Sequence, residues 1–156
     1  MAMPKIGNLA PKFSLLNQSE ETVSLSDLKG SWVVLYFYPK ALTPGCTVQA
    51  CGLRDKMKDL KKKKIVVLGV SPDEPKKLVK FIEKEKLNFD LLSDSDHAIC
   101  EKYGVWGLKK FMGREYMGVF RTTFIINPEG KLVHIMDDVK TKTHHDDVYN
   151  WILENS

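Results

Sequence analysis

WVVLYFYPKALTPGCTVQACGLRDKMKDLKKKKIVVLGVS, residues 32–71, begins and ends in near-continuous apolar runs, Trp32 to Tyr38 and Ile65 to Ser71. Both are rich in β-branched and aromatic residues, the pattern of strands covered on both faces. Between them Leu53, Met57 and Leu60 recur at helical spacing. Strand, helix, strand in this order predicts a parallel crossover.

The same alternation continues outward. SPDEPKKLVKFIEKEKL offers Asp73 and a proline at a helix start, then Leu78, Phe81, Ile82 and Glu85 on one largely apolar face. FDLLSD (Phe89 to Asp94) reads as a short strand, and DHAICEKYG as a short helix stopped by Gly104. TTFIIN and KLVHIM read as two strands joined by a turn at Pro128 to Gly130, and HHDDVYNWILEN as a closing helix with Val148, Trp151 and Ile152 on its core face. These elements predict an α/β fold with a central mixed sheet flanked by helices on both faces. With 156 residues and no repeat or linker-like tract, residues 1–156 are expected to form a single domain.

Twenty-four basic and 20 acidic side chains are interleaved, so the net charge of +4 points to solubility rather than to a nucleic-acid partner. The densest run, Lys61 to Lys64, suits the carbonyl end of a helix in solvent. MAMPKIGNLAPKF has no charged segment followed by an apolar core, and no window approaches a membrane span, so a cytoplasmic location is expected. Three cysteines in such a chain point to reactive or buried thiols rather than to a disulfide framework.

Thr43 and Pro44 read as an N-cap and first helical position, which places Cys46 in the first turn. Unpaired amide groups and the positive helix end favour a thiolate there, so Cys46 is a candidate nucleophile, with a small buried core cysteine as the alternative. Cys51 lies five residues on. In an intact helix that offset separates Cα atoms by about 8–9 Å, beyond disulfide reach, so a bond between the two requires the helix to unwind. Gly52 either eases that opening or marks close packing of the helix against the sheet.

At this point a resemblance becomes specific. YFYPKALTPGCTVQACGLRD resembles the active-site segment of peroxiredoxins, with proline, three residues, threonine, two residues and cysteine in that order. The second cysteine, GVWGLKKFMGREYMG and RTTFIINPEG extend the similarity over nearly the whole chain, to the bacterioferritin comigratory protein or Q-type branch. The resemblance implies a thioredoxin-like fold and a thiol-dependent peroxidase acting on hydrogen peroxide and organic hydroperoxides, recycled by thioredoxin, with no cofactor or metal. It implies that Cys46 is the peroxidatic cysteine and Cys51 the resolving cysteine that forms an intramolecular disulfide with it. Thr43 matches the residue that holds peroxide and thiolate by its hydroxyl. Arg121 matches the arginine whose charge favours the thiolate and steadies the developing oxyanion, and Pro39 the residue that shields the site from water. An intramolecular resolving cysteine suits a working monomer. Gln49 departs from the pattern, since a glutamate is usual there, and an amide cannot accept a proton.

Three rival readings stand beside this one. A thiol-disulfide oxidoreductase on the same fold would normally carry C-x-x-C, and an assay of insulin reduction against peroxide consumption separates the two. A metal site from Cys46, Cys51, His97 and Cys100 has permissive spacing but no recognised zinc pattern. A binding module would use the lysines or His144 and His145, whose place before two aspartates predicts a solvated helix cap. Cys100, outside the motif, is expected to be an inert core thiol.

Overall fold

The computed structural model describes residues 2–156. Strands β3 (Trp32–Phe37), β4 (Ile65–Ser71) and β5 (Asp90–Ser93) run parallel at the centre of the sheet. Antiparallel β8 (Thr122–Ile126) pairs with β3, and β9 (Leu132–Met136) with β8; on the other side β1 (Ser14–Asn17) pairs with β5, and β2 (Thr22–Ser24) with β1. The resulting seven-stranded mixed sheet has the order β2-β1-β5-β4-β3-β8-β9.

The apolar runs of β3 explain the layers. Val34 and Tyr36 point into one core cluster, Val33, Leu35 and Phe37 into another on the opposite face, as strand alternation demands. The first cluster is roofed by three helices, α1 (Pro44–Lys62), α2 (Pro75–Glu85) and α4 (His144–Asn155). They contribute Ala50, Leu53, Met57 and Leu60 from α1, Leu78 and Phe81 from α2, and Val148 and Ile152 from α4. Each such large apolar side chain stabilises the fold by about 1.5–3 kcal/mol when buried. The second cluster is covered by the 3-10 helix Leu25–Leu28 and by α3 (Ala98–Lys102), which contributes Cys100. The expected sheet with helices on both faces is therefore present.

Two local details differ from the sequence reading. Helix α2 starts at Pro75 with Glu74 in the cap position, which frees Asp73 for another task described below. GVWGLKKFMGREYMG, quoted above only as a motif, folds into a separate two-stranded sheet, β6 (Trp106–Phe111) and β7 (Arg114–Val119). The lysine run behaves as expected: Lys61 and Lys62 finish α1, Lys63 caps it, and all four lysines from Lys61 to Lys64 are exposed.

Candidate active site

Four segments meet at the start of α1: the loop after β3, the first turns of α1, the residue before β8, and the first turn of α4. In that loop Leu42 adopts a left-handed backbone, φ 68°, which swings the chain from the strand into the helix. For a non-glycine residue this costs about 1–2 kcal/mol. Asp73 holds the turn in place, accepting from the Ala41 amide at 2.7 Å and the Ser71 hydroxyl at 2.8 Å. Half-buried Pro39 begins the loop.

Thr43 and Pro44 occupy the cap and first helical positions as expected, but the Thr43 side chain does not cap the helix. Its hydroxyl donates to the Lys40 carbonyl at 2.7 Å. The proton of that hydroxyl is thus committed, and its oxygen is left to accept from an O–H brought into the site. The first helical turn holds no acidic residue, so nothing offsets its positive end.

Cys46 is 2% exposed. The guanidinium of Arg121, at the entrance to β8, donates through Nη2 to its Sγ at 3.4 Å. Gly45 permits this approach: a Cβ there would stand 3.3 Å from Nη2. The other arm of the fork, Nη1, donates to Gln49 Oε1 at 2.6 Å, one helical turn below Cys46. A cation fixed in two directions beside a sulfur at a helix start suits the stabilisation of a thiolate and of negative charge developing next to it.

Gln49 is fully buried, and beneath it lies His144, 1% exposed. This corrects the expectation of a solvated histidine pair. The two aspartates that follow do face solvent, but the first turn of α4 packs onto α1, so His144 points inward to Gln49 Nε2 at 3.2 Å and Thr123 Oγ1 at 2.8 Å. Burial, followed by the charges of His145 and Arg121, pushes its pKa down to about 3, so the ring is neutral. His145 is half-buried over Gly52, where a Cβ would clash with its imidazole ring, nearest to Nδ1. Gly52 therefore serves close packing, against α4 rather than against the sheet.

All three cysteines are free thiols. Cys51 is half-buried on the same unbroken helix and donates to Glu85 Oε1 at 3.5 Å. Burial first, then the bond to Glu85, raises its pKa, against a lowering by Arg54. Cys100 lies in the core cluster on the other side of the sheet from Cys46. Burial and the neighbouring Asp94 carboxylate push its pKa far up, as an inert thiol requires. His97 stacks on Trp106 at 4.1 Å, and among the described residues no group of three or more His, Cys, Asp or Glu side chains is placed to hold a metal ion. Sequence reasoning found Cys46, Arg121 and Gln49 but missed His144, Thr123 and the loop-anchoring role of Asp73.

A thioredoxin-like sheet carrying an arginine-paired cysteine at a helix start defines a cysteine-based redox protein. The chain belongs to the AhpC/TSA family, whose model matches residues 6–135. It is 58% identical over 152 residues to Peroxiredoxin Bcp of Escherichia coli strain K12, covering 97% of each chain. It is 49% identical over 140 residues to Peroxiredoxin Bcp of Bacillus subtilis strain 168, covering 90% of this chain and 89% of that one. Among solved structures, a cysteine-to-serine mutant of PrxQ from Xylella fastidiosa superposes with a TM-score of 0.93 at 30% identity over 99% of both chains. Bacterioferritin comigratory protein of Xanthomonas campestris superposes at 0.86 with 32% identity, over 92% of this chain and 91% of that one.

Proposed function

We propose that Cys46 is the attacking thiol of this thiol-dependent peroxidase, Cys51 its resolving partner, and a thioredoxin-type dithiol its reductant. That the enzyme reduces peroxides through a peroxidatic cysteine follows from its Bcp/Q-type kinship. The observation that carries the assignment to Cys46 is the Arg121 guanidinium 3.4 Å from its sulfur.

In the first step the Cys46 thiolate attacks one oxygen of the peroxide. The O–O bond breaks, its electron pair goes to the departing oxygen, and that oxygen takes a proton to leave as water or an alcohol. Arg121 steadies the charge on the departing atom, Thr43 accepts from the peroxide hydroxyl, and Pro39 limits the access of water. Cys46, oxidised by two electrons, is left as a sulfenic acid. The Cys51 sulfur then displaces water from it to form a disulfide, and dithiol exchange returns both cysteines to thiols. Because the oxidising equivalents are held within one chain, a monomer is a sufficient working unit, and hydrogen peroxide and organic hydroperoxides are both suitable substrates.

Non-reducing mass measurement after one equivalent of peroxide tests the scheme. The wild-type chain should lose two hydrogens, whereas Cys51→Ser should gain one oxygen. Cys46→Ser should consume no peroxide. Arg121→Lys, which keeps the charge but loses the fork, should slow the oxidation step by about 10²-fold. Undiminished turnover by Cys46→Ser would overturn the assignment.

A further inference from the structure

His144 is buried, titratable and without a part in the chemistry above, yet it ends a line of hydrogen bonds that begins at the sulfur. The direction of every bond in that line is forced. Arg121 has donors only, so the Gln49 oxygen must face it, at 2.6 Å. The Gln49 amide nitrogen is then left toward His144 Nδ1, at 3.2 Å. That nitrogen only donates, so Nδ1 accepts, the ring proton sits on Nε2, and Nε2 donates to Thr123 Oγ1 at 2.8 Å. Turning the Gln49 amide over would set donor against donor at Arg121 and acceptor against acceptor at His144 Nδ1, and protonating the ring would set N–H against N–H at Gln49.

We propose that His144 is a positioning residue for peroxide reduction: by holding the Gln49 amide in one orientation, it holds the Arg121 guanidinium against Cys46. The proposal rests on the reading of Cys46 as attacking thiol. It explains why an amide works where the related pattern has a carboxylate. A carboxylate offers acceptors on both sides and would demand a proton on Nδ1, whereas the amide demands the neutral ring that carries its proton on Nε2. It also assigns a catalytic consequence to α4, a helix from which no hydrogen bond reaches the sulfur.

The test isolates the first step in a Cys51→Ser background, following sulfenic acid formation in single-turnover mixing with hydrogen peroxide. His144→Leu, which fills the space but offers no acceptor, should slow it about tenfold, a fraction of what losing a direct oxyanion donor costs. His144→Asn carries an oxygen near the place of Nδ1 and should restore the rate to within about threefold of the parent. On a Gln49→Ala background, His144→Leu should add no further loss, because the two act in series. Equal rates for the parent and His144→Leu, or an asparagine variant as slow as leucine, would overturn the proposal. Should the leucine variant fail to fold, ¹⁵N-histidine spectra of the wild-type protein decide instead: His144 must show an unprotonated Nδ1 and a protonated Nε2 at neutral pH, and the opposite tautomer overturns the proposal. Oxidation of a Cys46→Ser control at the parent rate would instead remove the reading of Cys46 itself.

Discussion

Cys46 and Cys51 lie on one continuous helix, the first sealed in the core beside Arg121 and the second half-exposed beside Glu85. Five helical residues hold Cα atoms about 8–9 Å apart, too far for a disulfide. The geometry that presents Cys46 to peroxide thus excludes the bond that resolves it. Hydrogen exchange should show residues 43–55 protected in the reduced protein and strongly deprotected in the disulfide form. Equal protection in both would mean that the helix does not open. Cys51→Ser should stall as a sulfenic acid and overoxidise under excess peroxide.

Cys100 is separated from Cys46 by the thickness of the sheet, so it should take no part in turnover. Cys100→Ala should leave peroxide consumption within about twofold of wild type and cost about 1–2 kcal/mol of stability, read from denaturant unfolding. Loss of recycling with the first oxidation intact would make Cys100 the resolving thiol.

Gly52→Ala tests the contact between α1 and α4. A methyl group there would meet His145 Cε1 at 2.9 Å and Cγ at 3.0 Å. Overpacking costs about 1–3 kcal/mol and helix propensity returns about 1 kcal/mol, so the single variant should be destabilised by about 1 kcal/mol. On a His145→Ala background the same change should become neutral or stabilising. If the two substitutions are additive in a double-mutant cycle, Gly52 has some other role.

Acid should loosen the site through His144. Well above pH about 6.5, the usual histidine value, the ring is neutral in both folded and unfolded chains and contributes no pH dependence. Below that, the unfolded chain takes up a proton that the folded ring, with its pKa near 3, refuses. Gln49, Thr123, the Tyr36 ring, His145 and Arg121 are the groups around it, and none offers a carboxylate that would hold the charged form. Stability should therefore fall as pH drops, by up to about 1.4 kcal/mol per pH unit from this residue. In His144→Asn that portion of the slope should vanish; an unchanged slope would show that His144 titrates normally in the folded protein.

The parts of the fold visible in the sequence were those that local pattern encodes. The apolar runs of β3 and β4, the spacing of Leu53, Met57 and Leu60, and the turn at Pro128 to Gly130 each depend on neighbours in the chain. Cys46 was legible from the helix start at Thr43 and Pro44, and Arg121 because a family resemblance carries it. His144 was not, because a histidine pair followed by two aspartates has the local look of a solvated cap, and its burial is decided by contact with a residue 95 positions away. The β6–β7 hairpin was missed for a related reason: its strands carry exposed Leu108, Phe111, Tyr116 and Met117, which blur the alternation that marks a half-buried strand. Thr43 shows a finer limit, since the cap position was readable but the choice of Lys40 as its partner was not.

The distance in sequence between Gln49 and His144 also sets a schedule. On the ribosome α1 emerges 95 residues before its partner in α4 and Cys46 emerges 75 residues before Arg121. At about 5–20 residues per second, the wait for His144 lasts about 5–20 s. For most of that interval the growing chain carries the thiol without its guanidinium, and for all of it without the imidazole that completes the line of hydrogen bonds behind it. The complete arrangement around the thiol is thus assembled only when α4 closes over α1.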